Sequence, residues 1–328
     1  MTRRVALLFP GQGSQYPRMA AGLYGSDDVF TSVMDEAFEL LGEQGPAIRA
    51  AWLDDSHAEH FDDVTRAQPL LYAVDYALGR VVLSWGLEPV AMLGHSVGEM
   101  VAATLAEVFT FAEGMELMRD RVKHYADSPP GGMLAVAASV DDVTPFLTGA
   151  VAIAAVNAKR QTMLAGGRSE LAAVAKALHA DGYTCMRVRA NQAFHSPMVA
   201  DAAERTLDGF RSVRLSVPRR TIVSSHLGTV LTPEKALDPV FWAMQPATTV
   251  QFWPALDLLL GGEDLFVVEA GPGQGLTTLA RLHPAVRSGR SEAVALLPTR
   301  AISPRADRDA VRDVAHRIKA ESMTATAS

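Results

Sequence analysis

The chain has 328 residues, of which 48% are hydrophobic and 20% charged, enough to bury a sizeable core in one large domain with an insert or in two domains. Its formal net charge of −7 argues against general nucleic-acid binding, and no segment approaches the roughly 20 apolar residues of a membrane span. The single cysteine, Cys185, excludes an intrachain disulfide framework, so we expect a cytoplasmic protein with neither nucleic-acid nor membrane partners.

The first part of the chain alternates short apolar strands with helical segments. The residue pattern predicts strands at Val5–Phe9 and Val90–Leu93. Helical spacing occurs at 18–42, broken by Gly25-Ser26, at 67–85, with Gln68-Pro69 at its start, and at 97–107 and 112–126. Because these strands are apolar throughout, both faces of their sheet are expected to be covered, which is typical of a parallel α/β sheet.

The pattern changes after the "SPPGG" stretch that ends at Gly132. Shorter elements then follow in the order β-α-β-β-α-β, at Met133–Ala138, Val140–Leu147, Val151–Asn157, Thr162–Ala165, Glu170–Ala180 and Tyr183–Arg189. This is the order of a ferredoxin-like unit, so residues 130–196 are predicted to form a small inserted subdomain.

The α/β pattern resumes after this insert. Its predicted elements are helices near 198–211, 239–244 and 252–260, strands at Thr221–Ser224 and Leu265–Glu269, and an apolar stretch at Ala293–Leu297. We therefore predict an α/β fold in which a large, α/β-hydrolase-like parallel-sheet subdomain, residues 1–129 and 197–300, carries the ferredoxin-like (βαββαβ) subdomain. Residues 301–328 are predicted to form a C-terminal helix and tail.

Gly94-x-Ser96-x-Gly98 matches a nucleophile elbow, with an apolar strand before it and a helical segment after it. So tight a strand-to-helix turn leaves no room for Cβ atoms at the flanking glycines, and it exposes the serine Oγ. The N–H of the next residue, Val97, would then face an oxyanion. Pattern and context together favour Ser96 as a nucleophile over a serine in a plain glycine-rich loop.

Nine histidines are available as a base for Ser96, and sequence alone leaves the choice open. His195, in "NQAFHSPM", lies in a loop of the kind that carries functional groups. His95 adjoins Ser96, so its side chain is expected to point elsewhere and to line the pocket. Polar or charged settings predict solvated side chains for His57, His60, His124, His179 and His316. No acid is obvious near Ser96 or His195, so a backbone carbonyl is an alternative means of orienting the base.

Two glycine-rich loops follow predicted strands, and neither has the pattern of a nucleotide site. The first, at 11–15, lacks dinucleotide-fingerprint spacing and a P-loop lysine, but its Gln12 side chain could donate a hydrogen bond to an acyl oxygen. The second, at 270–275, is interpreted as a tight turn into a helix. No metal site is expected, because no His, Cys, Asp or Glu group has ligand spacing and the His57-x-x-His60 pair lies in a polar run with acids around it.

Five segments resemble, in order and spacing, the malonyl-CoA:acyl-carrier-protein transacylase family, the acyltransferases of fatty-acid and polyketide synthesis. They are "FPGQGSQ" at 9–15, "GHSVGE" at 94–99, an arginine at 121, "AFHSP" at 193–197 and "EAGPGQGLT" at 269–277. The likeness covers about residues 4–300, and this family also carries a ferredoxin-like insert.

The resemblance implies catalytic roles in a ping-pong reaction. Ser96 would be the acyl nucleophile and His195 its base, while Gln12 and the Val97 N–H would form the oxyanion hole. The main-chain carbonyl of Gln251 would accept a hydrogen bond from His195.

The resemblance also implies substrate-binding residues. Arg121 matches the arginine that grips the free carboxylate of a malonyl-type group, although Arg119 competes with it on sequence alone. Phe194 would fill the space of an α-methyl group, which favours malonyl, and Gln192 departs from the histidine usual at its position. Asn157 matches a pocket-side asparagine.

The resemblance implies no permanently bound cofactor. The acyl-CoA substrate is expected to be malonyl-CoA, and the partner an acidic acyl carrier protein whose phosphopantetheine thiol receives the acyl group. Because the chain itself is acidic, docking needs a local Arg-rich face, for which segments 187–190, 211–220 and 280–290 are candidates. The chain ends soon after the pattern, which favours a discrete enzyme, although an excised domain would look much the same.

Three other functions remain open on the sequence. The first is a transacylase for another acyl group, including one that moves acyl groups between carriers. The second is a serine esterase or thioesterase, in which the triad acid is expected between nucleophile and histidine and the histidine usually comes late in the chain. The third is a non-catalytic docking module, which would have no reason to keep Gln12, Ser96, Arg121 and His195 together.

Overall fold

The computed structural model describes residues 3–54 and 63–324, which form two β-sheets with helices around them. The strands are β1 (Arg4–Phe9), β2 (Ala91–Gly94), β3 (Gly132–Val136), β4 (Ala152–Ala158), β5 (Gln161–Gly166), β6 (Cys185–Val188), β7 (Ile222–Ser224), β8 (Thr229–Val230), β9 (Leu265–Glu269) and β10 (Glu292–Ala295). The α-helices are α1 (Asp28–Leu40), α2 (Gly45–Leu53), α3 (Val64–Ser84), α4 (Val97–Leu105), α5 (Phe111–Ala126), α6 (Val140–Val143), α7 (Arg168–Ala180), α8 (Ala200–Arg205), α9 (Leu207–Ser212), α10 (Pro233–Ala236), α11 (Pro239–Met244), α12 (Phe252–Gly262), α13 (Gly275–Arg281), α14 (Pro284–Arg287) and α15 (Pro304–Thr324).

The larger sheet has the strand order β10-β9-β1-β2-β7-β8, and all its neighbours are parallel except β7 and β8. Residues of β1 alternate between two buried clusters, with Leu7 and Phe9 in one and Ala6 and Leu8 in the other. Because side chains pack against both faces, the strands carry continuous apolar runs without polar alternation. The predicted parallel α/β architecture is confirmed.

The smaller sheet has the strand order β4-β5-β3-β6, and all its neighbours are antiparallel. Helix α7 covers one face, where Leu134, Leu164, Val174 and Leu178 form a core of their own. The predicted βαββαβ order is confirmed. Strand β4 also pairs with Val250 outside the sheet, and this bridge fixes the segment that leads into α12.

Several helices have different limits from those predicted. The segment 18–42 begins with turns, because Gly25 has a φ of 75° and Asp27 caps the helix that follows. Helix α3 starts earlier than predicted, since Asp63 caps it, and Pro69 lies inside the helix and not at its start. No described helix is long and apolar enough to cross a membrane.

Two further predicted helices are interrupted. Pro145 stands in a 3₁₀ turn, Thr144–Phe146, that follows the short helix α6. The segment 198–211 contains a 3₁₀ turn at Pro197–Val199 and then α8 and α9. The predicted C-terminal helix is α15, which packs Val311, Val314 and Ile318 against the core.

Candidate active site

Ser96 occupies a strained turn between β2 and α4. Its backbone has φ 55° and ψ −119°, a combination that non-glycine residues rarely adopt. A Cβ atom on Gly94 would lie 2.0 Å from the carbonyl carbon of Gly98, and one on Gly98 would lie 2.1 Å from the oxygen of Phe9. Both glycines are therefore required by the close approach of the turn to its neighbours, as a nucleophile elbow demands.

His195 lies against this serine. Its Nε2 is 2.7 Å from the Ser96 Oγ, and its Nδ1 is 2.9 Å from the carbonyl oxygen of Thr248. Since a carbonyl can only accept, Nδ1 carries the proton and Nε2 presents its lone pair to the serine hydroxyl. His195 itself has a φ of 61°, and its N–H donates to the carbonyl of Pro246. The imidazole is thus held as a base by a carbonyl, with no acidic partner among the described residues.

The expected role of Gln251 is wrong, because the carbonyl that faces His195 belongs to Thr248. Thr248 has an extended backbone after a 3₁₀ turn, and this turns its carbonyl toward the imidazole. Gln251 is the N-cap of α12, so its carbonyl is used by the N–H of Ala255, and its own N–H donates to Ser225.

Burial lowers the pKa of His195 well below its usual value. The nearby histidines, His226 and then His95, and the Arg121 guanidinium act in the same direction, and the hydrogen bond to Thr248 opposes them. Burial likewise lowers the pKa of His95. The imidazole of His195 is therefore neutral at physiological pH, which is the form that can take a proton from Ser96.

A cavity of about 140 Å³ opens over the Ser–His pair. Its polar lining includes Gln12, Gln68, His95, Ser96, Asn157 and His195. The Gln68 side-chain N–H donates to the side-chain oxygen of Gln12, Oε1, and this hydrogen bond fixes the orientation of the Gln12 side-chain amide. His95 Nε2 lies 2.9 Å from Asn157 Oδ1, and both side chains line the cavity.

The apolar wall of the cavity includes Phe194, which is buried edge-on against the Tyr125 ring at 5.2 Å between ring centroids. Gln192 is half-buried at the start of the same loop, outside the cavity lining.

Arg121 is buried behind this wall, against the Tyr125 ring that packs on Phe194, and is not itself among the residues that line the cavity. It projects from α5, a helix whose first turn is fixed by a capping box between Thr110 and Glu113. The guanidinium stacks over the Tyr125 ring at 5.6 Å and donates to the Met100 sulfur at 3.0 Å. Within the described residues it has no carboxylate partner, and its Nε has no acceptor. Arg119, the competing candidate, instead donates to the Leu40 carbonyl at the surface.

Two titratable residues near the pair, Glu99 and His226, were not predicted from the sequence. Glu99, in the "GHSVGE" segment, is fully buried and contacts His226 Nδ1 at 2.8 Å. The sequence signal for Glu99 was its place one helical turn after Ser96, but nothing in "SSHLG" marks His226. No group of three or more potential metal ligands occurs in the described part of the chain, and His57 and His60 lie outside it.

The acyl transferase domain family model matches residues 6–323. Over 282 residues the chain is 35% identical to a phenolphthiocerol/phthiocerol polyketide synthase protein of Mycobacterium tuberculosis, a match that covers 86% of this chain and 19% of that protein. It is 32% identical to polyketide synthase GfsA of Streptomyces halstedii over 90% of this chain and 4% of that protein. The chain thus spans less than a fifth of the length of either relative.

Solved structures show the same fold. The acyl transferase domain of SpnD, in complex with 2-(pent-4-yn-1-yl)malonyl, superposes with a TM-score of 0.88 at 29% identity, over 98% of this chain and 78% of that one. FabD from Acinetobacter baumannii superposes with a TM-score of 0.85 at 22% identity, over 98% and 99% of the two chains. Because the family model spans almost all of it, the chain belongs to the acyl transferase domain family and is an acyltransferase.

Proposed function

We propose that this acyltransferase moves a malonyl or related carboxyacyl group from CoA, through an ester on Ser96, to the phosphopantetheine thiol of an acyl carrier protein in polyketide or fatty-acid biosynthesis. The observation that carries the substrate class is Arg121, a buried guanidinium beside the acyl cavity without a carboxylate partner in the described residues. Burying an unpaired charge is costly, and a substrate carboxylate would supply the missing partner with two hydrogen bonds.

The first half-reaction forms the acyl-serine ester. His195 Nε2 takes the Ser96 proton as Oγ attacks the thioester carbonyl carbon, and the imidazolium then gives this proton to the departing CoA sulfur. The developing oxyanion would accept hydrogen bonds from Gln12 and from the Val97 N–H, which has no intrahelical acceptor because Val97 is the first residue of α4.

The second half-reaction transfers the group. The carrier thiol gives its proton to His195, its sulfur attacks the ester carbonyl, and Ser96 leaves as the alcohol after taking the proton back. No metal and no permanently bound cofactor enters either step, since the thioester carbonyl is already activated for attack and the Ser–His pair moves the proton. We also propose a cytoplasmic location for this reaction.

The cavity wall favours malonyl over α-substituted malonyl groups. Phe194 is buried against Tyr125, so an α-methyl group would displace a packed ring, at a cost of about 1–3 kcal/mol. The crystal structure of the related SpnD domain contains 2-(pent-4-yn-1-yl)malonyl. For this reason the proposal includes carboxyacyl groups other than malonyl.

The carrier protein is proposed to dock near segment 187–190. Arg189 lines the cavity over Ser96, and Arg187 and Arg168 line the groove next to it. We favour this segment over the other two candidates because it adjoins the cavity through which the phosphopantetheine thiol of an acidic carrier would reach Ser96.

The proposal is tested by offering the protein malonyl-CoA, methylmalonyl-CoA and acetyl-CoA with a holo carrier protein and following both products by mass spectrometry. We expect malonyl carrier as the main product, and its formation should be lost in Ser96→Ala. Free malonate without acylated carrier would instead indicate a hydrolase, and faster transfer of acetyl would exclude the carboxyacyl assignment.

A further inference from the structure

His226 is buried beside the Ser–His pair and has no part in the reaction described above. It lies in the turn between β7 and β8, with 3% of its side chain exposed. Its ring centroid is 5.9 Å from that of His195, and the two planes are tilted by 41°. Its Nε2 is buried and has no hydrogen-bond partner within the described residues.

Glu99 holds this histidine in place. One carboxylate oxygen, Oε2, accepts from His226 Nδ1 at 2.8 Å, from the His226 backbone N–H at 3.3 Å, and from the Ser225 N–H and Oγ at 2.9 Å each. Glu99 is on α4, one turn after Ser96, so the carboxylate ties the β7–β8 turn to the helix that carries the nucleophile.

The same turn is also tied to the segment that orients His195. The carbonyl of Ser225 accepts from the N–H of Gln251, three residues after Thr248, whose own carbonyl faces His195 Nδ1. His226 is therefore fixed from two sides. Glu99 connects it to the helix that begins after Ser96, and Ser225 connects its turn to the segment that contains Thr248. A shift of this turn would move both partners of the His195 imidazole.

The groups around His195 come from several elements. Ser96 lies at the start of α4, His95 at the end of β2, Arg121 on α5, Thr248 before α12 and His226 in the β7–β8 turn. None of these five is an acid, and two are histidines. The nearby carboxylate of Glu99 contacts His226 and not His195. A second proton on His195 would thus meet basic side chains and no counter-charge in direct contact.

We infer that His226, held by Glu99, is a positioning residue for His195, which restricts the rotation of the imidazole and opposes its protonation. This inference rests on the proposed role of His195 as the base for Ser96. In this arrangement the chain keeps its base neutral in mildly acid solution without placing a carboxylate against it.

The test is the pH profile of Ser96 acylation in His226→Asn, measured by rapid mixing with malonyl-CoA and intact mass. Asparagine keeps an N–H donor near the Nδ1 position for Glu99 but removes the ring and its second nitrogen. His283→Asn is the matched control, since His283 is also buried and lies 3.0 Å from a carboxylate oxygen, that of Asp257. His226→Gln serves in its place if melting shows that His226→Asn does not fold.

We expect the ratio of the acylation rate at pH 6 to that at pH 8 to fall about threefold or more in His226→Asn, because His195 then accepts a proton more readily. His283→Asn should keep the wild-type ratio. A folded His226 variant with the wild-type ratio would overturn the inference while leaving the Ser96 ester intact. Absence of the ester in the wild-type protein would instead overturn the proposed function itself.

Discussion

At the scale of single residues, the proposed carboxyacyl substrate rests on Arg121. A buried guanidinium whose described contacts are a methionine sulfur and an aromatic ring is electrostatically incomplete. A bound substrate carboxylate would relieve the unfavourable energy of this state. Substrate choice should therefore depend on this one side chain more than on the shape of the cavity.

Arg121→Ala is expected to reduce the kcat/KM for malonyl loading about a hundredfold or more, because two charge-assisted hydrogen bonds are lost. Loading of acetyl-CoA should change little. Competition between the two acyl-CoAs, read by intact mass, measures the preference. Arg119→Ala is the control, since Arg119 is exposed on the same helix. An unchanged malonyl preference in Arg121→Ala would remove this residue from the site.

Phe194→Ser should raise the share of methylmalonyl in such a competition about tenfold, because the smaller side chain leaves room for an α-methyl group. The substitution also removes packing against Tyr125, so the melting temperature should fall. The product ratio separates the two effects, since lost stability alone would lower loading of both acyl groups equally. An unaltered ratio in folded protein would exclude Phe194 as a selectivity residue.

At the scale of elements, the turn between β2 and α4 is the feature that the sequence predicted best. Its glycines have a steric reason that a five-residue pattern already contains, and the neighbouring strand and helix follow from apolar periodicity. The segment that orients His195 was not predictable in the same way. Whether Thr248 or Gln251 faces the imidazole depends on a 3₁₀ turn and on where α12 begins, and both are set by tertiary contacts.

Gly98→Ala is expected to destabilise the protein by about 2 kcal/mol or more, because the new Cβ would lie 2.1 Å from the Phe9 carbonyl oxygen. Ser96 acylation should fall as well, since relief of this overlap moves the turn. Gly275→Ala is the matched control: Gly275 begins α13 and has no heavy atom within 4 Å of the added Cβ. Equal melting temperatures for the two variants would contradict the packing argument.

At the scale of the whole molecule, α3 places an acid in the core. Asp75 is fully buried, and neither of its carboxylate oxygens has a hydrogen-bond partner in the described residues. Burial, and then the nearby Glu269, raise the pKa of Asp75 well above its usual value. Apolar periodicity alone would assign a hydrophobic residue to this position, so a pH-dependent core could not be expected from the residue pattern.

This raised pKa has a defined consequence for stability. The unfolded chain releases the Asp75 proton near pH 3.8, whereas the folded protein holds it to higher pH. The contribution of Asp75 to the free energy of unfolding is therefore fully present below pH 3.8. It is lost as the pH rises through the raised pKa of the folded protein. Asp75→Asn should flatten this decline and raise the melting temperature at pH 8 by about 2–4 °C. Asp208→Asn, at an exposed site, should leave the slope unchanged. If the melting temperature of Asp75→Asn fell with pH as steeply as that of the wild-type protein, the raised pKa of Asp75 would be contradicted.

A parallel α/β sheet and a second unit with the chain order βαββαβ followed from the sequence, because continuous apolar runs and that element order each indicate one arrangement. The site did not follow as completely. Ser96 and His195 are 99 residues apart in the chain, and His195 is held against Ser96 by contacts with Pro246 and Thr248, which are again distant in sequence.

Whether Ser96 carries the acyl group as an ester is measured by intact mass after brief mixing with malonyl-CoA. One malonyl adduct per chain is expected, mapped to the Ser96 peptide by proteolysis, absent in Ser96→Ala and formed far more slowly in folded His195→Ala. An adduct on another residue, or an adduct that persists in Ser96→Ala, would contradict the proposed mechanism.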